Sequence, residues 1–130
     1  MMMRGVRGAT TVREDSPEAI EAAVHELLRE VVGRNGLDPD DLAAVFFSVT
    51  DDLRSAFPAA GARSFGWRQV PLLDVREAAA GDDLPRCVRT LLLWNTQRAP
   101  AEIRHVYLHG AARLRPDLSA GLAGAVPFAG

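Results

Sequence analysis

The run AAVFFSVT, Ala43 to Thr50, constrains the fold more than any other stretch of the chain. Valine and phenylalanine dominate it and Asp51-Asp52 stops it, so it reads as a strand. Val45, Phe47 and Val49 fall on one face and Phe46 on the other. Because successive strand side chains point to opposite faces, large apolar groups on both imply burial on both. The rest of the chain must therefore supply two covers.

Taken in order, Met2 to Thr11 reads as a first strand. Gly5 and Gly8 inside it signal a bulge or the close approach of another element. Ser16-Pro17-Glu18 opens a helix with a hydroxyl cap, a first-turn proline and an acid. Its apolar stripe is Ile20, Val24, Leu27, Leu28, Val31 and Val32, and Gly33 or Asn35-Gly36 ends it. Asp38 to Asp41 makes a turn, Ser55 to Arg63 is an irregular segment around Phe57-Pro58, and Arg68 to Leu73 is a short strand.

Leu84 to Trp94 reads as a second helix, with Cys87, Val88, Leu91, Leu92 and Trp94 at helical spacing. Arg104 to His109 and Ala111 to Leu114 are two short strands with a bend at Gly110. The order strand, helix, strand, strand, helix, strand, strand gives an α+β fold. Two helices cover only one face of such a sheet. A closed homo-oligomer is then the expected second cover for Ala43 to Thr50. From Pro116 the composition falls to Ala, Gly and Pro, the mark of a loosely ordered tail.

Composition narrows the chemistry. With 48% hydrophobic and 25% charged residues, the 130-residue chain is ordinary globular material for one domain. All fifteen basic residues are arginine, which removes Schiff-base, lysine-base and phosphate-loop lysine chemistry together. The net charge of −2 gives no footprint for nucleic acid or an anionic membrane. The single cysteine, Cys87, excludes an internal disulfide and a cysteine-based structural zinc site, and reads as an inert core thiol. No run is long enough to span a bilayer, and Met1 to Met3 lead into Arg4 rather than a signal core. A soluble cytoplasmic protein is expected. No serine nucleophile elbow or glycine-rich phosphate loop is present.

Two constellations remain. Arg89 lies inside an apolar run and cannot shed its charge, while Glu77 sits in the loop beyond a strand. The pair either frames an anion pocket, or Arg89 snorkels along its helix and Glu77 is solvated. His105, Tyr107 and His109 alternate along one strand face; with no third ligand evident, they read as structural or surface groups and no metal site is assigned.

Five segments in one order, RGVRGATTV, DLRSAFPAAGAR, VPLLDVRE, LPRCVR and RHVYLHGAARLRPDL, resemble the monofunctional α+β chorismate mutases, the AroH class. The resemblance runs to about Leu118, making 1–118 a single chorismate mutase domain and 119–130 a flexible C-terminal tail. It implies a mixed, ferredoxin-like sheet with two main helices on one face. Three chains would form a pseudo-barrel with sheets inside, helices outside and active sites between subunits. The implied reaction is the pericyclic rearrangement of chorismate to prephenate in phenylalanine and tyrosine biosynthesis, with no cofactor or metal. By motif, Arg7, Glu77, Arg89 and Tyr107 would be the central polar residues, with Arg89 at the breaking C–O bond. Phe57, Ala59, Arg63, Leu72, Leu73, Asp74, Leu114 and Arg115 would line the rest. Asp74 departs from the thiol or hydroxyl usual there. It would be either ionised and paired with a site arginine, or turned away so that the backbone makes the contact. A non-catalytic trimeric module binding a small carboxylate and regulating a partner, or an imine deaminase-like trimer, are the competing classes. Neither needs Glu77 between Arg7 and Arg89.

Overall fold

The computed structural model describes residues 1–79 and 84–116. Among them, β1 (Met2–Thr11), β2 (Leu42–Val49), β3 (Leu72–Arg76), β4 (Cys87–Thr96) and β5 (Val106–Tyr107) form one sheet in the order β3-β2-β4-β1-β5. The sheet is mixed: β4 runs antiparallel to β1 and β2, while β3 is parallel to β2 and β5 to β1. Helices α1 (Pro17–Asn35) and α2 (Pro58–Phe65) pack against each other, α1 against β1 and α2 against β2 and β3. The α+β class, the mixed sheet and the two helices are as the sequence predicts.

One helix is not where the spacing put it. The apolar run expected as a helix over Leu84 to Trp94 is instead β4, the central strand. Val88, Thr90, Leu92 and Trp94 are buried against the helices, while Arg89, Leu91 and Leu93 turn to the other face. With leucines on both faces the run loses its two-residue alternation and mimics a helical stripe. The second helix is instead α2, which starts inside the segment expected to be irregular and runs two residues past it, to Phe65. β3 begins at Leu72 rather than Arg68. The Ala111 to Leu114 strand is replaced by a 3-10 turn over His109–Arg113. The expected tail, 119–130, lies outside the described residues.

Local signals hold elsewhere. Ser16 Oγ accepts from Ala19 N at 3.1 Å, and Gly36 closes α1 in the left-handed region at φ 62°. Gly8 is a close-approach glycine: a Cβ there would lie 2.9 Å from Thr90 Cγ2 and 3.3 Å from Leu27 Cδ1. It lets α1 settle on β1. The core lies between helices and sheet, with Val24, Leu27, Leu28 and Val31 of α1 against Val6, Val45, Phe47, Val88 and Leu92.

The face away from the helices is left uncovered among the described residues. Register places Leu73, Phe46, Leu91 and Arg7 in one row across β3, β2, β4 and β1. The next row holds Ser48, Arg89, Ala9 and Tyr107. Leu73, Val75 and Leu91 are exposed by 53%, 46% and 40%. Phe46, the residue that made β2 apolar on both sides, is half-buried on this face.

Candidate active site

Arg89 projects from the middle of the open face, held by neighbouring strands on both sides: Ala9 of β1 and Ser48 of β2. Its Nε meets Glu77 Oε1 at 2.8 Å. Glu77 follows the last residue of β3 and is tied down by its own amide, which donates to Val49 O at 2.9 Å. Ser48 Oγ donates to the same Glu77 oxygen at 3.3 Å. The Glu77 side chain is only 14% exposed against 45% for Arg89, so the acid is the sheltered partner and the guanidinium faces out. Arg89 stands on a strand rather than a helix, and Glu77 is sheltered and ion-paired rather than solvated.

Arg7, Arg89, Tyr107, Leu114 and Arg115 line a cavity of about 290 Å³ on this face. Phe57 and Asp74 line a second cavity of about 300 Å³, with Arg54 and Arg76. Ala59 joins this second group by donating its amide to Asp74, and Arg63 through the pull of its charge on that carboxylate. Leu72 and Leu73 lie beside it on β3. Of the sequence-predicted residues, Arg7, Arg89, Tyr107, Leu114 and Arg115 thus line one cavity and Phe57 and Asp74 the other, and the two linings share no residue. Within one chain they are not assembled into a single site.

Asp74 is not ion-paired at contact distance. Its Oδ1 and Oδ2 accept from Ala59 N at 3.1 and 3.4 Å. Burial raises its carboxyl above the ordinary value of 3.8, against the lowering effects of the Ala59 bond and the Arg63 charge. Cys87 is buried and its thiol is pushed up to about 11, chiefly by desolvation, so it stays protonated and inert.

Two contributors escape a reading of the sequence. His105 Nδ1 accepts the Arg7 backbone N–H at 2.9 Å, extending the β1–β5 pairing with a side chain. Asn35, fully buried at the end of α1, donates to Val31 O and Arg104 O and accepts from Arg104 N. It thereby fixes the start of β5, on which Tyr107 sits. Its place next to Gly36 looks like a helix stop, and only the fold gives it this second task. His109 does not share a strand face with His105. It sits in the 3-10 turn at φ 51°, with Nε2 2.9 Å from Glu26 Oε1. Among the described residues no cluster of His, Cys, Asp or Glu has the makings of a metal site, and no helix is long and apolar enough to cross a membrane.

An open sheet face bearing Glu77, Arg7, Arg89 and Tyr107 is suited in charge to small anions. Comparison with known proteins narrows that class. The model for chorismate mutase type I matches residues 3–118. The chain is 54% identical to a chorismate mutase AroH of Thermus thermophilus over 118 residues, covering 90% of this chain and 97% of that protein. It is 39% identical to the AroH chorismate mutase of Bacillus subtilis over 120 residues, covering 92% and 94%. A solved chorismate mutase from Clostridium thermocellum superposes with a TM-score of 0.82 at 39% identity, covering 85% of this chain and 98% of that one. The chain belongs to the type I chorismate mutases, isomerases that convert chorismate to prephenate in aromatic amino acid biosynthesis.

Proposed function

We propose that this chorismate mutase works as a homotrimer, in the cytoplasm, with each active site assembled from the two half-pockets of neighbouring chains. The observation that carries this reading is the separation of the two groups. Arg7, Glu77, Arg89, Tyr107, Leu114 and Arg115 form one and Phe57, Ala59, Arg63, Leu72, Leu73 and Asp74 the other. They lie around the exposed apolar row that contains Leu73 and Leu91. Burying that row against a second copy satisfies the sheet and brings the groups together.

The rearrangement needs neither nucleophile nor proton transfer, so the site acts by orientation and charge. As the C–O bond breaks, the ether oxygen gains partial negative charge. Arg89 donates to that oxygen, an interaction stronger in the transition state than in the ground state. Glu77 holds the Arg89 guanidinium in place before substrate arrives, then accepts from the substrate hydroxyl and balances the positive end of the dipolar transition state. Arg7, with Arg63 or Arg115, grips the two carboxylates, and Tyr107 donates to one of them. Gripping both folds the enolpyruvyl arm over the ring, the reactive geometry that is sparse in water.

Complementation tests the shared site. Arg89→Ala and Arg63→Ala each impair loss of chorismate absorbance. Co-expressed in equal amounts, they should recover about a quarter of wild-type activity, since that share of interfaces pairs an intact Arg89 with an intact Arg63. Recovery of nothing beyond the two separate activities rules the shared site out.

A further inference from the structure

α2 begins without a cap of its own. Phe57 occupies the cap position and offers no side-chain hydrogen bond, and Pro58 has no N–H. The first amide that needs a partner is that of Ala59, and it finds one in the Asp74 carboxylate. Asp74 lies fifteen residues on, at the middle of β3, paired in register with Phe47 on the helix-covered side of the sheet. A residue of the sheet therefore does for α2 what Ser16 does for α1 within a single turn.

We propose that Asp74 is a positioning residue for the rearrangement: its bond to Ala59 fastens the first turn of α2 to β3. That sets Phe57 and Arg63 at the substrate. Arg63 lies one helical turn beyond Ala59, on the same side of α2, and its charge acts on the same carboxylate. The Asp74 oxygens are turned onto the helix amide, so the side chain reaches the substrate through α2. A hydrogen-bond acceptor of this size is what the position requires, and the negative charge is dispensable. This inference rests on the assignment of Phe57, Ala59 and Arg63 to the substrate pocket.

Steady-state kinetics of Asp74→Ala and Asp74→Asn, with amide exchange at Ala59, tests it. Asp74→Ala should raise KM about tenfold with kcat nearly unchanged, the scale of a lost helix cap, and should lose exchange protection at Ala59 while α1 keeps its own. Asp74→Asn still offers an oxygen to Ala59, so KM should stay within about twofold and Ala59 should stay protected. A merely structural role would lower the active fraction, and so the apparent kcat, and leave KM alone; that result overturns the proposal. If Asp74→Ala does not fold, the Asn variant decides. KM several-fold higher with Ala59 still protected means the charge itself meets substrate, which also overturns it. Arg63→Ala separates the two readings. KM raised there but not in Asp74→Ala refutes the positioning role alone, whereas KM unmoved in Arg63→Ala removes the pocket assignment and the positioning role with it.

Discussion

The two faces of the sheet are built from the same strands and obey different rules. On β4, Leu92 turns inward and is fully buried against α1, while Arg89, three residues away, turns outward into an ion pair with Glu77. The covered face holds its shape by packing, where each missing methylene is felt. The open face holds its shape by strand register and by polar bonds such as those of Glu77 with Arg89 and Ser48, and so has room for charge. With the role proposed for Arg89, folding stability and catalysis are thereby separable by the direction in which a β4 side chain points.

Substitutions on each face sharpen that contrast. The largest effect belongs to the covered face. Phe47→Ala, at a fully buried position, should cost ~3–5 kcal/mol in denaturant unfolding with kcat per folded molecule little changed. Next comes the open face. Arg89→Ala should lower kcat ~10²-fold or more, about 3 kcal/mol, while the melting temperature moves by only a few degrees. Arg89→Lys should recover little of it, because an ammonium lacks the planar fork. If Arg89→Ala instead raised KM alone, Arg89 would be a carboxylate clamp. Leu91→Asp places a charge in the exposed apolar row and should shift sedimentation equilibrium from trimer toward monomer, with activity falling in proportion. A trimer that survives this change would leave the open face without its proposed cover.

The smallest effect is a slope. The raised carboxyl of Asp74 means that the native protein holds this proton more tightly than the unfolded chain. Its contribution to unfolding free energy therefore falls as pH rises from 3.8 through the raised value, and is level above it. Asp74→Asn should flatten that part of the stability curve, and an unaltered curve would mean that Asp74 titrates at its ordinary value when folded.

Legibility in the sequence followed the distance over which each signal acts. α1 could be read because Ser16, Pro17 and Gly36 mark its ends within one turn. α2 was hidden because its capping oxygen belongs to Asp74 on β3, and Phe57-Pro58 viewed alone resembles a loop. β4 reads as a helix because its open face and its core face both carry leucine, and spacing cannot separate that from a helical stripe. The site residues came from motif resemblance. The pairing of Glu77 with Arg89 depends on register, which places Ser48 and Arg89 side by side. Asn35 and His105 act by side-chain bonds to backbone 69 and 98 positions away, where sequence carries no local trace.

Arg89 stands on a ten-residue strand paired along both edges, whereas Tyr107 stands on a two-residue strand at the rim of the sheet. Their melting is therefore staggered: rim strands fray at temperatures where central ones are still closed. On the roles proposed above, warming should slacken the hold of Tyr107 on the substrate carboxylate while Arg89 stays aimed at the ether oxygen. The enzyme should then grow less saturable before it grows slower, with KM climbing well below the temperature at which kcat collapses.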